Sequence, residues 1–282
     1  MCGRFVSARK RLELLEEFAV ERDRVGEDRA PDYNVAPTKR IYAVLEHAPR
    51  ADASAGSAEV ASDEDKPARE LRLLRWGLVP SWAKDSSGGA RLINARAETV
   101  AVKPAFRSAF KRRRCLIPAD GYYEWQASAD KKVKQPFFIY PDDGGVLSFA
   151  GIYELWRNGA VPPEDEDAWL WTASIITTDA PDEIGKIHDR TPLMIARDSW
   201  NDWLDPANND KGLLMAMMLP ATSSSTGGLT SRPVSTAVNS VRNNGPDLIE
   251  PLPPGAPPGK PADKGSRAQG SGSGQQDGPS LF

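Results

Sequence analysis

Cys115-Leu116-Ile117-Pro118-Ala119-Asp120-Gly121-Tyr122-Tyr123-Glu124-Trp125 reads as a strand, a turn and a second strand. Apolar and aromatic residues fill both arms, as strands packed on a core require. The same pattern repeats on either side. Lys131, Lys132 and Lys134 mark a hairpin tip before a strand at 137–140, and a turn at 142–145 precedes one at 146–153. Another strand is expected at 170–177, and upstream lie strands at 41–45 and 71–74. Helical spacing is confined to short stretches at 12–18, 106–114 and 198–204, the last carrying Trp200 and Trp203. Many short β segments with few long helices predict an α+β fold, mainly an antiparallel β-sheet core with flanking short helices.

The chain should form one domain over 2–252, with a disordered Pro, Gly, Ser and Gln-rich tail at 253–282. Solvated insertions are expected near 47–70 and 157–168, where acidic and small residues replace apolar bulk. The formal charge of −3 argues against nucleic-acid binding only until these acidic stretches are set aside. No run of eighteen apolar residues and no secretory profile is present, which predicts a cytoplasmic or nucleoid-associated protein without a membrane span. Two cysteines, Cys2 and Cys115, exclude a disulfide framework, and with two histidines they offer no zinc-ligand spacing. No metal and no cofactor is expected.

Several polar residues sit in apolar settings. Glu124 lies between Tyr123 and Trp125, where desolvation would raise its pKa toward that of a general acid or base; alternation also allows it to face solvent. His188, in Ile187-His188-Asp189-Arg190, is either a proton shuttle near neutral pH or a turn histidine bonded to backbone. Asn94 and Arg96 share one face of a strand, and Arg96 either grips a phosphate or pairs with Glu98 on that face. Trp76 and Trp82 are candidates for stacking on bases, with core packing as the other reading. Arg9 to Arg11, Lys111 to Arg114 and Lys131 to Lys134 are either solvated faces or one basic surface. Cys115 reads as inert core.

The amino terminus, Met1-Cys2-Gly3-Arg4-Phe5, is chemically distinctive. Cys2 is small enough for Met1 to be removed, which would leave a free amine and a thiol on neighbouring carbons. Both are partly nucleophilic near neutral pH. Such an aminothiol condenses with an aldehyde to an imine and closes to a thiazolidine. Arg4, two residues away, is placed to meet a phosphate of the same substrate.

These stretches, with Tyr33-Asn34-Val35-Ala36-Pro37-Thr38, Trp76-Gly77-Leu78-Val79-Pro80, Ile93-Asn94-Ala95-Arg96-Ala97-Glu98-Thr99 and Pro233-Val234-Ser235, resemble the SRAP family (SOS-response-associated peptidase) in family order. The resemblance implies a β-rich core with a positively charged groove for single-stranded DNA, and an abasic-site processing activity. It implies that Cys2 captures the ring-opened aldehyde of an abasic site. Glu124 would protonate the sugar ring oxygen and His188 would help form or reverse the link. Asn94 and Arg96 would hold the sugar and a flanking phosphate. Arg4, Trp76 and the loop of Asn34, Pro37 and Thr38 would shape the DNA path. Weak lyase activity follows from an imine at the sugar. The rival readings are a thiol peptidase, with Cys2 as nucleophile and His188 as base, and a non-covalent reader of modified bases. A monomer is expected.

Overall fold

The computed structural model describes residues 2–46, 67–127, 134–162, 164–165, 168–219 and 228–253. Of the insertion expected near 47–70, residues 47–66 lie outside the described residues, and Glu70 already opens a strand; the hairpin tip at Lys131 and Lys132 and, from 254 onward, the tail expected at 253–282 also lie outside them. Among the described residues, thirteen strands run in chain order as β1 (Phe5–Ser7), β2 (Arg22–Asp23), β3 (Asp32–Val35), β4 (Arg40–Leu45), β5 (Glu70–Trp76), β6 (Asn94–Arg96), β7 (Arg114–Ala119), β8 (Gly121–Ala127), β9 (Lys134–Pro141), β10 (Leu147–Arg157), β11 (Trp169–Asp179), β12 (Arg190–Pro192) and β13 (Leu229–Pro233). The helices are short: α1 (Arg11–Glu17), α2 (Ala97–Val100), α3 (Arg107–Arg112), α4 (Asp182–Gly185), α5 (Trp200–Leu204) and α6 (Lys211–Met217). No described helix is long and apolar enough to cross a membrane.

Two sheets result, and the stretch around Asp120 joins them. β7 pairs with β10 and β4, while β8, one residue later, pairs with β1 and β9 in the other sheet. The strand-turn-strand motif is therefore a crossing between sheets, not a hairpin. Asp120 fixes the corner by accepting from the Ala8 N–H at 2.6 Å and pairing with Arg9 at 3.0 Å.

The larger sheet closes on itself. β11, β10, β7, β4 and β5 pair in succession, all antiparallel, and a parallel β5–β11 pairing completes a five-stranded barrel. Alternation sorts the side chains. Ile41, Ala43 and Leu45, with Leu74 and Trp76, Cys115 and Ile117, Phe149 and Tyr153, and Ala173 and Ile175, form one buried cluster inside. Their neighbours Tyr42, Val44, Leu71, Leu116, Ala150, Ile152 and Ile176 pack with residues of the helices, including Leu14, Phe110, Trp200, Trp203 and Leu214.

The five-stranded sheet, in order β13-β9-β8-β1-β3, is antiparallel throughout. Its alternation is equally clean. Cys2, Phe5, Val35, Tyr122 and Ile139 join the barrel's inner cluster, whereas Val6, Tyr123 and Phe138 pack with Val234, Val238 and Leu248. Edge-to-face contacts of Phe5 with Trp76 (5.2 Å) and Phe149 (6.0 Å), and of Tyr122 with Phe149 (6.0 Å), pin this sheet to the barrel.

Part of the basic runs is engaged within the fold. Arg114 is buried and donates to the carbonyls of Phe110, Lys111, Trp203, Asp205 and Asn208, so it caps the ends of α3 and α5. Arg113 pairs with Glu154 at 2.8 Å, and Arg11 pairs with Asp23 and with Asp28.

Past β5 the chain folds back on itself at glycines. Gly77 has φ +129°, and a Cβ there would lie 2.7 Å from the Gly89 carbonyl oxygen. Only glycine accepts both the angle and the approach. Gly77→Ala is expected to lower stability by about 2–4 kcal/mol. A urea midpoint that falls with unchanged slope would show it.

Candidate functional site: the Cys2 end of the barrel

β1 carries the amino terminus to the barrel end beneath the five-stranded sheet. Cys2 is 0% exposed there. Its carbonyl accepts from Asn94 Nδ2 at 2.7 Å, and its Sγ lies 3.7 Å from the Arg4 carbonyl oxygen as a weak donor. Asn94 reaches it because β6 lies parallel on β11, with Asn94 opposite Ile175. The Asn94 Oδ1 is buried with no hydrogen-bond partner among the described residues, an acceptor at the site's wall.

Glu124 shares its strand face with Tyr122, two residues before it. Phe5 is paired with Tyr122, so that face looks onto the barrel end where Cys2 lies. Glu124 is accordingly 2% exposed, and the solvent-facing alternative is excluded. Tyr122 is anchored by a 2.8 Å hydrogen bond between its hydroxyl and that of Thr191, a pair that no local sequence signal singles out. His188 stands at the margin, half-buried, where its Nδ1 accepts the Arg190 N–H at 3.0 Å. That bond places the ring proton on Nε2. The Asp189 carboxylate, 2.9 Å from the same Nδ1, can pair with it only when the ring is charged.

The SOS response associated peptidase (SRAP) family model matches residues 1–241. The chain belongs to the SRAP family. It is 36% identical over 250 residues to the abasic site processing protein YoqW of Bacillus subtilis, covering 89% of this chain and 99% of that one. It is 31% identical to the abasic site processing protein HMCES of Gallus gallus, covering 95% and 83%. A crystal structure of a protein from Bacteroides thetaiotaomicron superposes with a TM-score of 0.66 at 22% identity, covering 89% of this chain and all of that one. The crystal structure of a phage-related protein from Bordetella bronchiseptica gives 0.54 at 28% identity, covering 83% and 94%.

The electrostatics around Cys2 in this SRAP chain follow from burial. Desolvation raises the Glu124 carboxyl to about 7, against the pull of the chain's positive amino terminus. The Cys2 thiol is pushed well above the ordinary thiol range, first by burial and then by the charge of Glu124. Burial lowers His188, with the amino-terminal charge acting the same way and Asp189 opposing. At neutral pH the site thus holds a neutral thiol, a carboxyl poised to give or take a proton, and a neutral imidazole.

Some residues expected along the DNA path sit elsewhere. Trp76 is 0% exposed and donates from Nε1 to the Ile93 carbonyl at 2.9 Å. It is the floor beneath β1 and has no surface on which a base could stack. Asn34 is buried too, with Nδ2 donating to the carbonyls of Val238, Ser240 and Asn243. Its Oδ1 accepts from Arg4 Nη1 at 2.7 Å, and the same Nη1 reaches the Val238 carbonyl at 2.8 Å. Arg4 is thereby fixed with its guanidinium 5.9 Å above the Trp125 ring, and the rest of its fork makes no hydrogen bond among the described residues.

Pro37 is half-buried and Thr38 exposed. Thr38 holds φ +72°, costly for a β-branched residue, because its N–H must donate to the Trp76 carbonyl at 2.8 Å. Arg96 is exposed with no hydrogen bond among the described residues, while Glu98 belongs to α2 and is gripped by Arg190 at 2.6 and 3.1 Å. Of the two readings of Arg96, the ion pair with Glu98 does not form. Trp82 stands 70% exposed on the loop after β5.

Proposed function

We propose that this SRAP chain, once Met1 is removed, captures abasic sites in single-stranded DNA as a thiazolidine on Cys2. One observation carries the reading: Asn94 holds the main chain of the buried Cys2, and the buried Glu124, whose carboxyl is raised to about 7, lies close enough to act electrostatically on its thiol. The names of the relatives, abasic site processing proteins, point to the same substrate.

The chemistry needs little else. An abasic sugar is a cyclic hemiacetal; protonated Glu124 gives a proton to the ring oxygen O4′ as the C1′–O4′ bond breaks, and the C1′ hydroxyl gives up its proton as the aldehyde forms, so no net proton is consumed. The Cys2 amine attacks C1′, and the carbinolamine loses water to leave an imine. The Cys2 S–H then adds across the C=N bond. Sulfur bonds to C1′ and the proton passes to nitrogen, so aldehyde and aminothiol yield thiazolidine and one water. Glu124 can relay that proton, taking it from the thiol as carboxylate and giving it to the ring nitrogen as acid. His188 accepts or returns protons at the site's margin. Asn94 keeps the sugar and the Cys2 main chain in register, and Arg4, Arg96 and the Pro37–Thr38 turn meet the flanking strand.

Weak strand cleavage by β-elimination is the expected side reaction of the imine. A peptidase finds less here, since it needs a thiolate and a basic imidazole while burial disfavours the first and lowers the second.

Protein whose intact mass confirms loss of Met1, mixed with single-stranded DNA carrying one abasic site, is expected to give a shifted band that survives heat in detergent. A form with one extra residue ahead of Cys2, which moves the amine off the thiol-bearing residue, should give none. An undiminished band from that form would refute the aminothiol mechanism.

A further inference from the structure

Two side-chain hydrogen bonds cross from β8 to the stretch of chain that carries His188. Tyr122, Glu124 and Gln126 alternate along β8 and so share one face of it. On one side of Glu124, the Tyr122 hydroxyl meets that of Thr191 at 2.8 Å. On the other, Gln126 Nε2 donates to the Lys186 carbonyl at 2.9 Å. Glu124 is therefore bracketed on its own strand face, and His188 is bracketed between Lys186 and Thr191. Burial first, and then the charge of Asp189, raise the Glu124 carboxyl, so this stretch stands within electrostatic reach of it.

The Tyr122 hydroxyl is not needed for packing. The ring is wholly buried in the apolar cluster of Cys2, Phe5, Ile139 and Phe149, where phenylalanine would cover the same surface with no polar atom to satisfy. Thr191 is buried as well, at 4% exposure. Its Oγ1 lies 3.4 Å from the Pro192 carbonyl, so Thr191 gives its proton there and accepts that of Tyr122. The stretch around His188 has little else to fix it against β8. It runs from α4, four residues long, to β12, three residues long and paired only with β11. The ion pairs of Arg190 reach Glu98 and Asp179, which belong to α2 and β11.

We propose that Tyr122 and Thr191 are positioning residues, whose buried bond sets His188 against Glu124 for the proton transfers at Cys2. The inference rests on the function proposed above. Proton transfer demands hydrogen-bond reach, and a misplacement of about 1 Å can cost ~10²-fold in rate.

Single-turnover crosslinking to abasic single-stranded DNA, over a range of DNA concentrations, separates the maximal rate from the half-saturating concentration. Tyr122→Phe and Thr191→Val are each expected to lower the maximal rate about tenfold, with half-saturation within about twofold of wild type. The double variant should be no slower than the slower single one, because both substitutions remove the same bond. Thr191→Ser, which keeps the hydroxyl, should restore the rate. Should Tyr122→Phe fail to fold, Thr191→Val reads the same bond from its other end.

A second readout needs no DNA. His188 is one of two histidines, and its ring Cε1–Hε1 resonance is assigned by its loss in His188→Gln. That resonance should shift or broaden in Tyr122→Phe and Thr191→Val and keep its wild-type position in Thr191→Ser. Wild-type protein that formed no adduct would sink the function proposed above, and the resonance alone would then decide whether the bond positions His188. The proposal is overturned if both variants crosslink within about twofold of wild type, if Thr191→Ser fails to restore the rate, or if the His188 resonance is unmoved in both.

Discussion

Cys2→Ala is expected to abolish the heat-stable adduct with abasic DNA and to leave only one that borohydride can trap. The alanine variant, with Met1 removed, still carries an α-amine and can still form an imine at C1′. It cannot close the ring, because the atom that would add to the imine carbon is gone. The imine hydrolyses on heating or loses the 3′ phosphate by elimination, so the denaturing gel should show free DNA with a rise in cleaved strand. Reduction before loading should restore a shifted band. Cys2→Ser should behave alike, since an oxazolidine reopens far more readily than a thiazolidine. The substitution removes one sulfur from a site that is 0% exposed, a cavity cost of about 1 kcal/mol that leaves the chain folded. Thermal unfolding checks that point. An alanine variant whose unreduced adduct withstood heat would place the link on another residue.

How far the site was legible in the sequence depends on which physical signal each residue carried. Cys2 was legible because its chemistry is local: an aminothiol is defined by two neighbouring atoms. Glu124 was half legible. Its aromatic flanks announced desolvation, but the face it takes depends on register, and register is set by the pairing of Phe5 with Tyr122. The DNA-path role that the resemblance implies for Trp76 and Asn34 does not fit their burial, because the contacts that bury them come from elsewhere in the chain, such as Ile93, Val238 and Asn243.

The basic runs show the limit of composition. Arg113 and Arg114 look like one charged face, but Arg113 caps the end of α3 and pairs with Glu154, while Arg114 opens β7 and donates to five backbone carbonyls. The α+β class and its antiparallel bias were legible from strand periodicity. The closure of the barrel was not, because it depends on a parallel β5–β11 contact between strands almost a hundred residues apart, which no local pattern encodes. That closure matters for function. It brings the Gly77 turn against β11, where Gly77 N–H donates to Ala173 at 2.8 Å, and so fixes the floor on which β1 lays Cys2.

Glu124→Gln is expected to slow adduct formation by about 10²–10⁴-fold at neutral pH, the range for loss of a general acid. The glutamine keeps the shape and a hydrogen-bond donor but cannot release a proton to the ring oxygen. The pH profile should separate this from a packing defect. With its pKa at about 7, wild-type Glu124 is mostly protonated below that value and mostly ionised above it. The wild-type rate should therefore fall as pH rises through about 7, and the variant should lack that limb. Stability should move the other way.

A carboxyl raised above its ordinary range favours the folded state fully only below its unfolded pKa, and loses that contribution as pH rises through the folded one. Wild type should accordingly lose stability between about pH 4.5 and 7, relative to the neutral glutamine variant. Above pH 7 the variant should be more stable by about 3 kcal/mol, and the gap should close toward pH 4.5. Urea unfolding of both proteins at acid and alkaline pH, beside single-turnover rates at the same pH values, measures the pair of effects. A variant that crosslinks within about threefold of wild type would remove Glu124 from the acid's role, whatever its stability. A slower but more stable variant would mean that the fold tolerates a desolvated carboxyl at this position for the proton it delivers.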